Sequence, residues 1–203
     1  MKPISNVSPA ASLFALAMFS CGLAWSARAE EDVVTKQVKV QDVTLTVPDS
    51  WRQTEPASRL RLAQFEVPPV MGDKEQTELV VFSFPGGGGG VDENIQRWVD
   101  QFEAEGREVK LTQAKSPQGE YYFADIQGTY QMPVGPPIQR QTKRLEGARM
   151  FGLILKTDKG VYYLRMAGPR YTVSAQADAL RKAIGASQGE ETEYKPAAAD
   201  PDE

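Results

Sequence analysis

Along residues 36–47, KQVKVQDVTLTV, apolar and polar side chains alternate, with Val43, Leu45 and Val47 on one face and Thr44 and Thr46 on the other. A period of two marks a half-buried strand. Gln41 and Asp42 divide the stretch into two short strands around a tight turn. Pro48-Asp49-Ser50 ends the second, and Trp51 follows as an apolar anchor. A third strand is predicted over 59–67, RLRLAQFEV. Its apolar phase switches between Leu62 and Phe65, which implies a bulge. TELVVFSF, 77–84, is apolar on both faces, as a covered central strand would be.

The period then changes. After the glycines Gly86, Gly87, Gly88, Gly89 and Gly90, residues 91–105 place Ile95, Trp98, Val99 and Phe102 on one helical stripe. Asp92 and Glu93 stand in the first turn, where the helix dipole favours acids, and Gly106 stops the helix. EVKLTQA, EYYFADIQGTY, ARMFGLILKT and GVYYLRMA return to strand composition, the last two joined by a hairpin turn at Thr157-Asp158-Lys159-Gly160. A second helix is predicted over 171–184, with Val173, Ala177, Leu180 and Ile184 on its stripe and Gly185 as its cap. Strands, helix, strands, helix, without βαβα alternation, predicts an α+β protein: an antiparallel sheet with two amphipathic helices packed on it. Trp51 and Trp98 read as core anchors.

Both ends look different from this middle. Residues 10–25 are apolar, too short and too rich in Ala and Ser to span a membrane, and Ala27-Arg28-Ala29 offers a small-x-small cleavage site. Residues 1–29 therefore read as a signal peptide, with cleavage after Ala29 and export to the periplasm or medium. Cys21 lies inside this run. Met18-Phe19-Ser20-Cys21 departs from a lipobox through the bulky Phe19, so a lipoprotein is the alternative rather than the main reading. Residues 30–35 are a linker, 36–187 one domain, and 188–203 an acidic, Pro- and Ala-rich tail expected to be disordered.

Composition closes several chemistries. The chain has 203 residues, one cysteine and no histidine. Ser–His and Cys–His nucleophile activation are thus impossible, and the commonest transition-metal ligand is missing. We expect no metal site and no cofactor, and no catalytic residue can be named. Cleavage after Ala29 removes Lys2 and Arg28 and no acid, leaving 21 basic and 27 acidic side chains. The tail carries most of that excess, so the folded core is near neutral. That argues against nucleic acid as a partner.

Three features are candidate sites. The glycines 86–90 lie between a strand and a helix, where phosphates can be cradled. No Lys-Ser/Thr follows, and Asp92 and Glu93 would repel an anion. A flexible hinge or a close backbone approach is the reading that remains. The segment Gln131–Arg149 is too long for a minimal hairpin and is stiffened by Pro133, Pro136 and Pro137. Arg140, Lys143, Arg144 and Arg149 make it the most basic stretch. It is either a contact arm for an acidic envelope protein or a solvated strand pair, as charge runs usually are. Asp125 could be an acid of raised pKa. Alternation sets it with Tyr121, Phe123 and Gln127, which reads as an edge or solvent-facing position.

The order of parts resembles the PsbP-like superfamily, through VTLTVPDSW, LVVFSF before the first long helix, and VYYLRMAGP before the last. It resembles more closely a group of exported bacterial proteins sharing RLAQFEVP, GGGGGVDENIQRW, SPQGEYYFADIQGTY and PVGPPIQRQ. The resemblance implies an α/β/α sandwich that binds or assists other proteins, and it carries over no catalytic residue. The expected function is an exported, non-enzymatic binding or accessory module of the cell envelope. The alternative is an envelope hydrolase using carboxylate or Ser–Lys chemistry.

Overall fold

A computed structural model describes residues 33–70, 72–86, 88–134 and 141–197. The expected signal peptide and cleavage site, Cys21, Gly87 and Arg140 lie outside the described residues. The predicted N-terminal hairpin forms from β1 (Thr35–Val40) and β2 (Val43–Pro48), paired antiparallel as a separate two-stranded sheet. Gln41 in its turn takes a positive φ of 53°. The main sheet contains β3 (Arg52–Thr54), β4 (Arg61–Val67), β5 (Thr77–Ser83), β6 (Glu108–Ser116), β7 (Gly119–Pro133), β8 (Thr142–Lys156), β9 (Val161–Pro169) and β10 (Thr192–Glu193). Its order is β10-β6-β7-β8-β9-β5-β4-β3, and every pairing is antiparallel. The expected bulge falls between Arg61 and Ala63 of β4. The short edge strand β3 was not foreseen.

The two faces of this sheet are covered differently. On one, the β1–β2 hairpin, Trp51 and the helices α2 (Arg170–Ser174) and α3 (Ala177–Ala183) bury a cluster with Phe65, Phe123, Phe151 and Leu164. On the other, α1 (Val91–Val99) packs Ile95, Trp98 and Val99 against Ala124, Met150 and Ile154. Gly152 on β8 is where the helix comes closest: a methyl group there would overlap the Trp98 indole. The result is the layered α+β arrangement that the periodicity predicted, with Trp51 fully buried and Trp98 nearly so.

Four expectations are corrected. The first helix ends at Val99, not at residue 105. Phe102 keeps its place on the buried stripe but forms a β-bridge with Tyr130, and Glu103 N donates to Thr129 O at 2.9 Å. The second helix is divided at Ala175 and Gln176. There Gln176 leaves the helical conformation and accepts a hydrogen bond from Trp51 Nε1 at 3.1 Å. Residues 131–149 are mostly strand. β7 and β8 pair out to Pro133 and Thr142 in one long hairpin, and Val134 N donates to Gln141 O at 2.9 Å beyond them.

The tail, expected to be disordered over 188–203, is ordered as far as Ala197, and residues 198–203 lie outside the described residues. Residues Gln188–Glu190 make a 3-10 turn, β10 pairs with β6, and Glu191 is buried against Arg181. The Glu191 side chain is 4% exposed and that of Arg181 6%. Composition argued for disorder because it counts apolar area and is blind to one carboxylate fitted to one buried guanidinium.

Candidate functional site

The long β7–β8 hairpin rises from the sheet beside the end of α1, and its basic residues have partners within the chain. Lys143 Nζ meets Glu75 Oε1 at 2.7 Å. Arg144 grips Glu103 with Nε at 2.7 Å and Nη2 at 3.0 Å, and reaches Glu146 at 3.4 Å. This grip holds the Glu103 carboxyl below its ordinary pKa, chiefly through the Arg144 hydrogen bonds. Arg149 serves the other face of the sheet. Its Nε donates to Asp125 Oδ1 at 2.7 Å, its Nη1 to Ser174 Oγ at 2.6 Å, and its guanidinium lies over the Phe151 ring. Asp125 is therefore neither at an edge nor in solvent. It sits on β7, inside the sheet, as one half of a largely buried ion pair.

The glycine loop is tied to the helix that follows it. Gly88 O accepts from Arg97 Nη2 at 2.9 Å and from Asn94 Nδ2 at 3.2 Å, and Gly90 N donates to Glu93 Oε2 at 3.1 Å. Gly88 and Gly89 have φ of +67° and +96°, and a Cβ on Gly88 would meet the Phe84 ring. Close backbone approach, the second half of the sequence reading, accounts for Gly88 and Gly89, whereas a side chain at Gly86 or Gly90 would meet nothing within 4 Å. Carbonyl oxygens face the helix side chains, which suits donors rather than a phosphate.

A cleft of about 330 Å³ opens at the root of the long hairpin. Its floor comes from mid-sheet: Glu78 and Val80 on β5, Arg165 and Ala167 on β9. Tyr130, Met132 and Pro133 of β7 form one wall, and Arg61 of β4 stands opposite. The covering helix α1 stops at Val99, so this part of the sheet face stays open. On the Arg61 side the polar groups close on one another. Arg61 Nη1 donates to Glu78 Oε2 at 3.0 Å and to Gln64 Oε1 at 2.8 Å, while Gln64 Nε2 donates to Glu78 at 3.0 Å. On the far side, Gln101 Oε1 accepts from Arg165 Nη1 at 3.1 Å and from the Tyr130 hydroxyl at 3.4 Å. Burial raises the pKa of Tyr130.

A second cavity, of about 180 Å³, lies between the Asp125–Arg149 and Arg181–Glu191 pairs. Each guanidinium is bidentate to a carboxylate through Nε and Nη2, and its Nη1 donates to Ser174 Oγ in Arg149 and to Ala177 O in Arg181, so every nitrogen already has a partner. Among the described residues no group of three or more Asp, Glu or Cys could hold a metal ion, and no helix is long and apolar enough to cross a membrane.

No family model and no curated protein matches the sequence. Among solved structures, the chain is similar to PA94 from Pseudomonas aeruginosa, a protein of unknown function. Identity is 12% and the TM-score 0.41, covering 74% of this chain and 94% of that one. It is also similar to the solution structure of cyanobacterial PsbP from Synechocystis sp. PCC 6803. Here identity is 10% and the TM-score 0.44, covering 85% of this chain and 100% of that one. Both are similarities of fold at low identity.

The sequence reading singled out the hairpin, whose Met132, Pro133 and Lys143 contribute to the cleft and its rim. It missed Arg61, Arg165 and Gln101. Two are ordinary strand positions and one follows a helix, and only the strand order brings them together.

Proposed function

We propose that this chain is an exported, non-enzymatic binding module of the cell envelope, and that it binds through the cleft at the root of the β7–β8 hairpin. The observation that carries the reading is the chemistry of the groups lining that cleft. Guanidiniums stay protonated at any physiological pH. Burial raises the Tyr130 hydroxyl above its usual pKa, and Glu78 is taken up by Arg61. These groups hold and orient a ligand, and none is set to move a proton. The missing histidine and the signal-like residues 1–29 support the same reading. The fitting partner is another envelope protein that presents acidic groups. With Lys143, Arg144 and Arg149 engaged by carboxylates of this chain, recognition is assigned to the cleft rather than to the flank of the arm.

The test uses the mature chain as bait in solubilised envelope extract, beside the variant Arg165→Gln. Capture of a defined partner by the wild type and its loss in the variant is the expected result. Turnover of an ester, glycoside or peptide substrate that disappears in Glu78→Gln would establish the hydrolase reading instead.

A further inference from the structure

We infer that the cleft takes a carboxylate joined to a compact apolar group. The inference rests on the binding reading above and names the ligand class for that same site. It starts from Arg165, which lies mid-sheet with Gly152 of β8 and Val80 of β5 as its strand neighbours. The Trp98 indole fills the space over Gly152, so Arg165 stands at the border of what α1 covers. The residue is half-buried. Among the described residues its one hydrogen bond goes to the neutral Gln101 Oε1, and no carboxylate is paired with it. Gln101 is itself held, since its Nε2 donates to Arg97 O at 2.9 Å. The guanidinium is thus anchored at one corner, with the rest of its donor fork unused.

A cation withdrawn from water without a counter-charge costs free energy, and an anion offsets that cost. The local charges say which anion. Arg61 is matched by Glu78 and Lys143 by Glu75, so Arg165 leaves the cleft and its rim with one unmatched positive charge. A monoanion restores neutrality, whereas a phosphate dianion would add repulsion from Glu78 and Glu75. The planar guanidinium fork also matches two carboxylate oxygens. Val80, Ala167, Met132 and Pro133 supply the apolar remainder, with Met132 the adaptable wall. A volume of about 330 Å³ is at the small end for ligand pockets and fits a compact group. Such a carboxylate comes either from a free short-chain acid or from the C-terminus of a partner chain that ends in an apolar residue.

The methyl groups of Met132, Val80 and Ala167 report on occupancy by carbon-13 NMR of the mature chain. The probes are hexanoate and hexanamide, and acetyl-Ala-Leu with a free or an amidated C-terminus. The acids should shift these methyls and the amides should not, and added salt should weaken the effect. Tighter binding of hexanoate identifies the small acid as the source, and tighter binding of the free dipeptide the chain terminus. Arg165→Gln should weaken acid binding roughly tenfold or more, the scale of one charge-assisted contact. Arg165→Lys, which keeps the charge and loses the fork, should fall between. Equal response to acid and amide in the wild type overturns the inference whatever the variants do, as does undiminished acid binding in a folded Arg165→Gln. If no acid moves the methyls while Arg165→Gln still loses its captured partner, the ligand class is wrong and the binding module stands. If Arg165→Gln changes neither readout, both fall.

Discussion

Single contacts decide how this sheet is covered, and Gly152 is one of them. With no Cβ, it lets the Trp98 ring lie on the backbone of β8. Gly152→Ala should push α1 outward, destabilising the fold by about 1–3 kcal/mol as overpacked sites do, read as a lower urea midpoint. Glu191 is another. Its carboxylate accepts from Arg181 Nε at 2.6 Å, Thr112 Oγ1 at 2.8 Å and the Tyr121 hydroxyl at 3.1 Å, and Arg181 stacks 4.0 Å above Phe123. Glu191→Gln strands a buried guanidinium and should cost about 3 kcal/mol, the range for breaking a buried pair. Replacing Arg181 and Glu191 together with Met removes both charges and should recover part of that loss in a double-mutant cycle. Asp125 and Arg149 follow the same logic. Two charged positions in β-rich sequence, one read as an edge acid and the other as part of a contact arm, turn out to neutralise each other.

At the scale of elements, the segment after α3 binds the layers together. Glu191 reaches the α3 side, β10 adds to the β6 edge, and Tyr194 packs edge-to-face against Tyr122 and donates to Asp92 in the first turn of α1. A chain ending at Ser187 should therefore melt several degrees lower, and the amides of β6 should exchange faster with deuterium. Unchanged melting and exchange would show that the segment rests on the domain without stabilising it. The strands were legible in the sequence because period two survives folding: β2, β5 and the paired lengths of β7 to β9 lie where alternation or apolar density put them. The ends of elements were not legible. Phe102 keeps a helical stripe in sequence yet bridges to Tyr130, a partner 28 residues away, and Glu191 finds Arg181 through a turn that no local pattern announces. The cleft was less legible still. Arg61 and Arg165 are 104 positions apart and meet only because β9 and β4 both flank β5.

For the whole molecule, the two buried layers share a dependence on tyrosines that must stay protonated. Of seven tyrosines, Tyr121, Tyr122, Tyr130, Tyr163 and Tyr194 have pKa values above the ordinary 10.0, in each case first through burial. Tyr121 lies on the α3 side, while the other four belong to the α1 side. Carboxylates add to the effect: Glu191 beside Tyr121, Glu120 beside Tyr122 and Asp92 beside Tyr194 would each repel a phenolate. A group whose pKa is higher in the folded than in the unfolded chain contributes stability that is complete below the unfolded value and is lost as pH rises through the folded one. Stability should therefore be insensitive to these groups at neutral pH and fall once pH passes 10, from both layers at once. Phenolate absorbance followed beside circular dichroism tests this. Most of the tyrosine signal should appear late and together with loss of the sheet, and Tyr194→Phe should delay that loss to higher pH relative to its own stability at neutrality. Ionisation of all seven tyrosines near pH 10 with the sheet intact would show that burial does not protect them and that the layers do not depend on their hydroxyls.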